Sequence, residues 1–176
     1  MNPWWQQVGD TIVAEFSDLT DPTQVTRAVL RLFVAALLGG LLGWEREHHG
    51  KAAGVRTHML VAMGAALFVL VSQQAGMAAG DLSRVIQGIT AGVGFLCAGT
   101  ILKGNRLDDV KGLTTAAGLW LTAAVGVAAG MGRESTAVLG TVLALAVLAV
   151  VPMVVRFGEQ PSPLLAEEKP SPPKAP

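Results

Sequence analysis

Five long apolar stretches dominate this chain, and each is long enough to cross a lipid bilayer. A spanning helix needs about 20 mainly apolar residues, within a usable range of about 17 to 25. Arg31 is the one charged residue inside the stretches, about a turn into the first, and its side chain is expected to extend to the near membrane surface. We therefore expect an all-α integral membrane protein with about five transmembrane helices. The stretches are Ala28–Trp44, His58–Gly80, Val85–Leu102, Leu113–Met131 and Thr136–Val155.

Composition supports a membrane protein and argues against two other classes. Charged residues make up 15% of the chain, whereas soluble domains carry about 25%. The 13 basic and 13 acidic side chains cancel, and nucleic acid, which needs a basic surface, is not an expected partner. No G-x-S-x-G elbow, P-loop or zinc motif is present, so we expect neither an enzyme nor a cofactor.

Lysine and arginine in the short loops predict the orientation. The side of the membrane richer in these residues is normally cytoplasmic. This predicts a multi-pass protein with the N-terminus outside and the C-terminus in the cytoplasm. The predicted inner set is Arg46, Lys51, Arg56, Lys103, Arg106, Lys111 and Arg156, against Arg27, Arg31, Arg84 and Arg133 outside.

Three segments follow from these patterns. Residues 1–21 carry an apolar stripe that favours an interfacial amphipathic helix, with a frayed polar terminus as the alternative. Residues 22–156 form the helix bundle, and Asp21-Pro22 predicts its start by an N-cap and a first-turn proline. Asp81 and Ser83 are candidate N-caps of the third long helix, and Ser135 is a candidate N-cap of the fifth. Residues 157–176, rich in proline and charge, are predicted to be a disordered cytoplasmic tail. The stripe consists of Trp5, Val8, Ile12, Phe16 and Leu19.

Small residues predict how the helices pack. Helices in lipid associate through close approach at small side chains, and the first four stretches carry spaced glycines while the fifth has only Gly140. We therefore expect the first four helices to form the core and the fifth to face lipid. The alternative is that the glycines reflect their general enrichment in membrane helices. The predicted packing glycines include Gly39, Gly43, Gly88, Gly92, Gly94, Gly99, Gly126 and Gly130.

The loop after the first stretch holds the densest group of polar side chains. Glu45 should lie close to the membrane surface, where a charge needs a partner, and Arg56 or Lys111 are the expected cations. Arg46 is assigned to the same polar network. His48, His49 and Lys51 are interpreted as a solvated loop. A hydrated Mg²⁺ ion is a further hypothesis, with candidate ligands Glu45, Glu47, Asp108 and Asp109.

Three ordered blocks of sequence resemble the MgtC/SapB family of bacterial membrane proteins. The first block joins Gly39–Glu47 to Lys51–His58. The second runs from Gly88 to Leu102, and the third from Val110 to Trp120. The family's motif residues fall here on Glu45, Arg46, Gly54, Arg56, Thr57, Gly94, Phe95, Gly99, Gly112, Thr114, Thr115 and Trp120.

The resemblance implies a bacterial inner-membrane protein linked to growth under magnesium limitation and, in pathogens, to virulence. It also implies a regulator that binds other membrane proteins, including ATP synthase. The binding or functional network that we predict from both arguments comprises Glu45, Arg46, Arg56, Thr57, Lys111, Thr114, Thr115 and Trp120.

Two departures from the family pattern qualify this prediction. Cys97 stands where relatives commonly have glycine, so packing around its helix is expected to differ. Longer relatives carry a folded domain after the last span, where this chain has the proline-rich tail, so we expect a short form. The alternative function is a small transporter or channel for Mg²⁺ or another solute, which would need a homo-oligomer to enclose a path.

Overall fold

A computed structural model describes residues 3–15, 17, 21–103 and 110–158 of the chain. Within these ranges the chain forms six α-helices and one pair of two-residue antiparallel strands, in which Leu102 pairs with Lys111. The elements are α1 (Trp4–Glu15), α2 (Pro22–His48), α3 (Val55–Gln74), α4 (Ala79–Thr100), β1 (Leu102–Lys103), β2 (Val110–Lys111), α5 (Leu113–Gly130) and α6 (Glu134–Gly158).

The five helices α2 to α6 are each long and apolar enough to cross a membrane. This confirms the number of predicted spans and the expectation of a mainly helical, multi-pass membrane protein. The second predicted stretch was drawn too long, because α3 ends at Gln74 and Gly80 already lies in α4. Helix α2 begins at Pro22, as predicted, and the Asp21 side chain accepts a hydrogen bond from Thr23 N at 2.9 Å. The orientation of the termini stays a prediction.

Two other predicted helix starts are wrong. Asp81 and Ser83 were expected to cap α4, but that helix begins at Ala79 after Ala78 in an extended conformation. Ser135 was expected to cap α6, which already begins at Glu134. All three polar residues therefore lie in the first turns of their helices.

Helices α3 and α5 form the centre of the bundle. Half of the α5 span is buried, and 39% of the α3 span, against 17% for both α4 and α6. Helix α4 packs on the central pair through Ile89, Val93 and Cys97, and α6 lies against α2 and α5. The expectation that only the last span lies at the periphery is therefore wrong, because α4 is as exposed as α6.

Glycines close the contacts of the central helices. A Cβ atom on Gly39 would lie 2.7 Å from His58 O, and one on Gly43 would lie 2.6 Å from Val55 Cα. A Cβ atom on Gly130 would lie 2.6 Å from Ala66 O. Real Cβ atoms do not approach so closely, so these helices meet backbone to backbone.

The glycines of α4 behave differently. A Cβ atom on Gly88, Gly92, Gly94 or Gly99 would meet nothing within 4 Å in the described residues. These four predicted packing glycines therefore do not bring α4 against another helix of the chain. They differ from Gly126 in their position around the helix. Gly88, Gly92 and Gly99 share one side of α4 and Gly94 lies on another, and no other helix of the described chain approaches any of them closely.

Arg31 joins three helices at the end of the bundle where α3 and α5 finish. Its Nη1 donates to Gln73 Oε1 at 2.8 Å and to Gly130 O at 2.9 Å. The guanidinium thus satisfies a carbonyl in the last turn of α5, where the helix dipole favours a cation. The sequence predicted only that Arg31 would extend to the nearest membrane surface.

Helix α1 exposes every side chain, including those of Trp5, Val8 and Ile12. Phe16 and Leu19, the other members of the predicted stripe, lie outside the described residues. The tail predicted to be disordered begins at residue 157, but α6 continues to Gly158, and residues 159–176 lie outside the described residues. An interfacial position for α1 and the three-part division of the chain stay predictions.

Candidate functional site

The last turns of α2 hold a buried ion pair between adjacent residues. Arg46 Nη2 donates to Glu45 Oε1 at 2.8 Å, and Arg46 Nε donates to Glu45 Oε2. The Arg46 side chain is 4% exposed and that of Glu45 is 12% exposed. Such a bidentate ion pair fixes the conformation of both side chains, and removal of either partner would leave the charge of the other uncompensated.

The turn after α2 is closed by the backbone and by Glu47. Gly50 adopts a left-handed conformation with φ of +64°, and Lys51 N donates to Arg46 O at 3.0 Å. Glu47 Oε2 accepts a hydrogen bond at 2.8 Å from Val55 N, the first amide of α3. This carboxylate therefore caps α3, because the first amides of a helix have no partner within it.

His58 forms the deepest polar part of this region. It is fully buried, and its Nδ1 lies 3.0 Å from Gly54 O. A carbonyl oxygen only accepts, so Nδ1 carries the proton and Nε2 is left as an acceptor. Among the described residues, His58 Nε2 is the one buried side-chain nitrogen or oxygen without a hydrogen-bond partner.

Helix α5 crosses this point at a glycine. A Cβ atom on Gly118 would lie 3.7 Å from His58 Nε2 and 4.0 Å from Arg46 Cδ. Thr122, one turn further along α5, is fully buried and donates to Gly118 O at 2.9 Å. Helices α2, α3 and α5 thus enclose a polar core of Arg46, His58 and Thr122.

Sequence reasoning assigned His58 no role, although it stood in one of the family blocks. The available signal was a single ionisable side chain at the start of an apolar span, where such residues usually face the bundle interior. Its burial and its unpaired nitrogen depend on where α5 crosses α3, which local sequence does not determine.

The predicted partners of Glu45 are not the observed ones. Arg56 and Thr57 are exposed on the first turn of α3. Glu45 instead pairs with Arg46, and its Oε1 lies 3.1 Å from His49 Nδ1. The expectation of an ion pair with Arg56 fails because Arg46, directly adjacent in the chain, already reaches both carboxylate oxygens.

The remaining network residues lie at the start and on the outer side of α5. Lys111 and Thr114 are exposed, whereas Thr115 is 2% exposed. Trp120 is half exposed and lines a small cavity of about 230 Å³ between α4 and α5. The structure therefore brings Thr115 into the packed interior but leaves Trp120 on the surface.

Cys97 links α4 to α5. Its thiol is buried and donates to Ala116 O at 3.1 Å. The close contact occurs where the family resemblance implied a difference in packing.

Gly112, which precedes α5 with φ of +94°, lies so near the Thr100 carbonyl that a side chain there would collide with it.

The carboxylates proposed for magnesium are already engaged. Glu45 accepts from Arg46, and Glu47 accepts from Val55 N. Asp108 and Asp109 lie outside the described residues. Among the residues that are described, no three His, Cys, Asp or Glu side chains are grouped so that they could hold a metal ion.

An apolar recess lies between α3 and α4. It has a volume of about 550 Å³, and its walls include Gly64, Phe68, Gly88 and Gly92. The recess exists because the glycines leave the backbone uncovered at this side of α4. None of Arg46, His58 and Thr122 lines this recess.

Known proteins with similar sequences share most of the membrane region. The putative magnesium transporter YhiD of Escherichia coli is 43% identical over 132 residues, which cover 69% of this chain and 59% of YhiD. Protein SrpB of Synechococcus elongatus is 46% identical over 129 residues, covering 67% of this chain and 71% of SrpB. Protein MgtC of Brucella abortus is 48% identical over 127 residues, covering 71% of this chain and 51% of MgtC.

The chain thus spans little more than half the length of YhiD and about half that of the Brucella protein. No solved structure matches it. The MgtC family matches residues 32–157, a region that begins in α2 and ends in α6. From this match and the identities above, the chain belongs to the MgtC family.

Proposed function

We propose that the protein is a non-enzymatic regulator in the bacterial inner membrane that acts by binding other membrane proteins through α4. The observation that carries the proposal is the uncovered side of α4 that carries Gly88, Gly92 and Gly99, where a Cβ atom on any of the three would meet nothing within 4 Å. Glycine on a transmembrane helix permits backbone-to-backbone approach of a second helix. At the packing glycines of α2 and α5, by contrast, atoms of neighbouring helices in the bundle already occupy the space that a side chain would need.

Exposed apolar side chains alone would not support a partner, since lipid covers them equally well. Phe95 is 83% exposed and Leu96 is 52% exposed, as expected for any lipid-facing helix. What distinguishes α4 is the combination of large exposed side chains with a recess of about 550 Å³ beside Gly88 and Gly92. A partner helix fits there with its own side chains in the recess.

ATP synthase, which the family resemblance implies as a partner, is the first candidate. Regulation would arise if α4 binds one state of that complex more tightly than another, since a ligand shifts an equilibrium only by its differential affinity. The link to magnesium limitation would then concern when the protein is made, with no ion passing through this bundle.

The test uses inverted inner-membrane vesicles with and without the protein. We expect ATP-driven proton pumping to fall when the wild type is present. We expect no fall with the double variant Gly88→Leu and Gly92→Leu, whose new side chains occupy the recess. Ala146→Leu is the matched control, because Ala146 is an exposed small residue on α6, and it should act like the wild type.

A transporter for Mg²⁺ is the competing function, and the similarity to the putative magnesium transporter YhiD favours it. Purified protein in liposomes loaded with a magnesium-sensitive dye separates the two. Influx of Mg²⁺ above that of empty liposomes would overturn the regulatory proposal. Equal effects of the wild type and the glycine double variant on proton pumping would also count against it.

A further inference from the structure

A second cavity lies at the opposite side of the bundle from the α4 recess, between the end of α2 and the last turns of α6. Its volume is about 560 Å³. One wall is basic and carries Arg46, His49 and Lys51; the other is apolar and carries Leu148, Pro152 and Met153. The residues of the apolar wall lie on α6 and take no part in the proposed contact through α4.

The basic wall has hydrogen-bond donors to spare. A guanidinium has five N–H groups, and the two bonds to Glu45 use two of those on Arg46. Glu45 is the carboxylate that faces this group, and it also lies 3.1 Å from His49 Nδ1. In the described part of the chain, Lys51 forms no ion pair, so the wall carries a net positive charge.

The apolar wall contains a backbone acceptor without its usual donor. Proline has no N–H, and inside a helix it removes the hydrogen bond to the carbonyl four residues earlier. Pro152 stands within α6, so the Leu148 carbonyl lacks its helical partner. At membrane depth such a carbonyl is stable only when another group hydrogen-bonds to it.

The cavity lies where lipid headgroups are expected. The apolar span of α6 ends at Val154, directly after the residues of the apolar wall, and Arg46 stands in the last turn of α2. The cavity therefore lies at the ends of two spans, with one polar wall and one apolar wall. Basic pockets between transmembrane helices suit anionic lipid headgroups.

We infer that this cavity binds phosphatidylglycerol. The phosphodiester contacts Arg46 and Lys51, one acyl chain follows Leu148 and Met153, and a glycerol hydroxyl donates to the Leu148 carbonyl. Free phosphate lacks an acyl chain and would leave the apolar wall uncovered. Phosphatidylethanolamine has no net charge and no glycerol hydroxyl in its headgroup.

The experiment is native mass spectrometry of the full chain in detergent, titrated with phosphatidylglycerol or phosphatidylethanolamine. We expect the wild type to retain phosphatidylglycerol preferentially. Lys51→Gln should weaken retention by about fivefold, the effect of about one basic side chain near an anionic surface. Ala149→Trp, which fills the cavity without changing its charge, should also weaken it.

Arg56→Gln is the matched control. Arg56 is an exposed cation at the same end of the bundle but does not line the cavity, so retention should stay at the wild-type level. Elution by size exclusion at the wild-type volume identifies folded variants.

Three results would overturn the inference. They are equal retention of the two lipids, equal losses in Lys51→Gln and Arg56→Gln, and release of the lipid by millimolar inorganic phosphate. The last result would instead identify a site for free phosphate. None of these results bears on the α4 proposal, because the two surfaces share no residue.

Discussion

Replacing Gly126 with alanine places a methyl group where α5 crosses α3. The new Cβ would lie 2.9 Å from Ala62 Cα and closer still to the Ala62 carbonyl oxygen. Carbon atoms in favourable contact are about 3.5–4.0 Å apart, so the two helices must separate by roughly 1 Å. The neighbouring contact of Gly130 with Ala66 lies along the same pair of helices and would open with it.

The expected loss of stability follows from the stiffness of the obstacle. Added methylenes in a packed core typically cost about 1–3 kcal/mol, and here the atoms in the way belong to backbone that no rotamer change can move. A gap of up to 1 Å forfeits a quarter to a half of the dispersion energy at each contact. We therefore expect the free energy of unfolding to fall by about 2–3 kcal/mol.

Cys97 supplies the assay, because it is the chain's single cysteine and is buried. A thiol-reactive fluorescent dye added to protein in detergent reports unfolding as Cys97 becomes accessible during heating. Gly126→Ala should melt several degrees below the wild type. Gly92→Ala is the control, since its Cβ would meet nothing within 4 Å and alanine is the better helix former by about 1 kcal/mol.

Two melting results would refute this reasoning about helix packing. A Gly126→Ala variant that melts at or above the wild-type temperature would show that α3 and α5 do not meet at this distance. A Gly92→Ala variant that melts as low as Gly126→Ala would show that the open side of α4 is covered.

Two further predictions concern single side chains that tie helices together. Arg31→Leu should lower the free energy of unfolding by about 1–3 kcal/mol, because Gln73 and a helix-end carbonyl lose their donor. Arg27→Leu is the control, since Arg27 is exposed on the same helix, and it should have little effect in the same melting assay. Glu47→Ala should cost about 1 kcal/mol, because Val55 N loses its capping acceptor. Glu47→Gln retains an acceptor oxygen and should recover part of the loss, and equal melting of the two variants would contradict the capping role.

Much of the candidate site depended on information that the sequence does not hold locally. The first loop, with Glu45 and Arg46, was predicted as a polar network from its charges and its place beside the membrane. Its internal pairing was predicted incorrectly, since a distant partner was expected and the adjacent arginine is observed. His58 received no role, because the burial of its Nε2 without a hydrogen-bond partner arises only when three helices enclose it.

The sequence by itself determined the number and order of the spans, because hydropathy over about 20 residues must match the fixed thickness of a bilayer. It also determined the start of α2, since a cap and a first-turn proline act within a few residues. Only the tertiary structure decided which glycines pack and which stay open. Gly92 and Gly126 look alike in sequence, and they differ because contact depends on how each helix is rotated against its neighbours, which is set by the packing of the whole bundle.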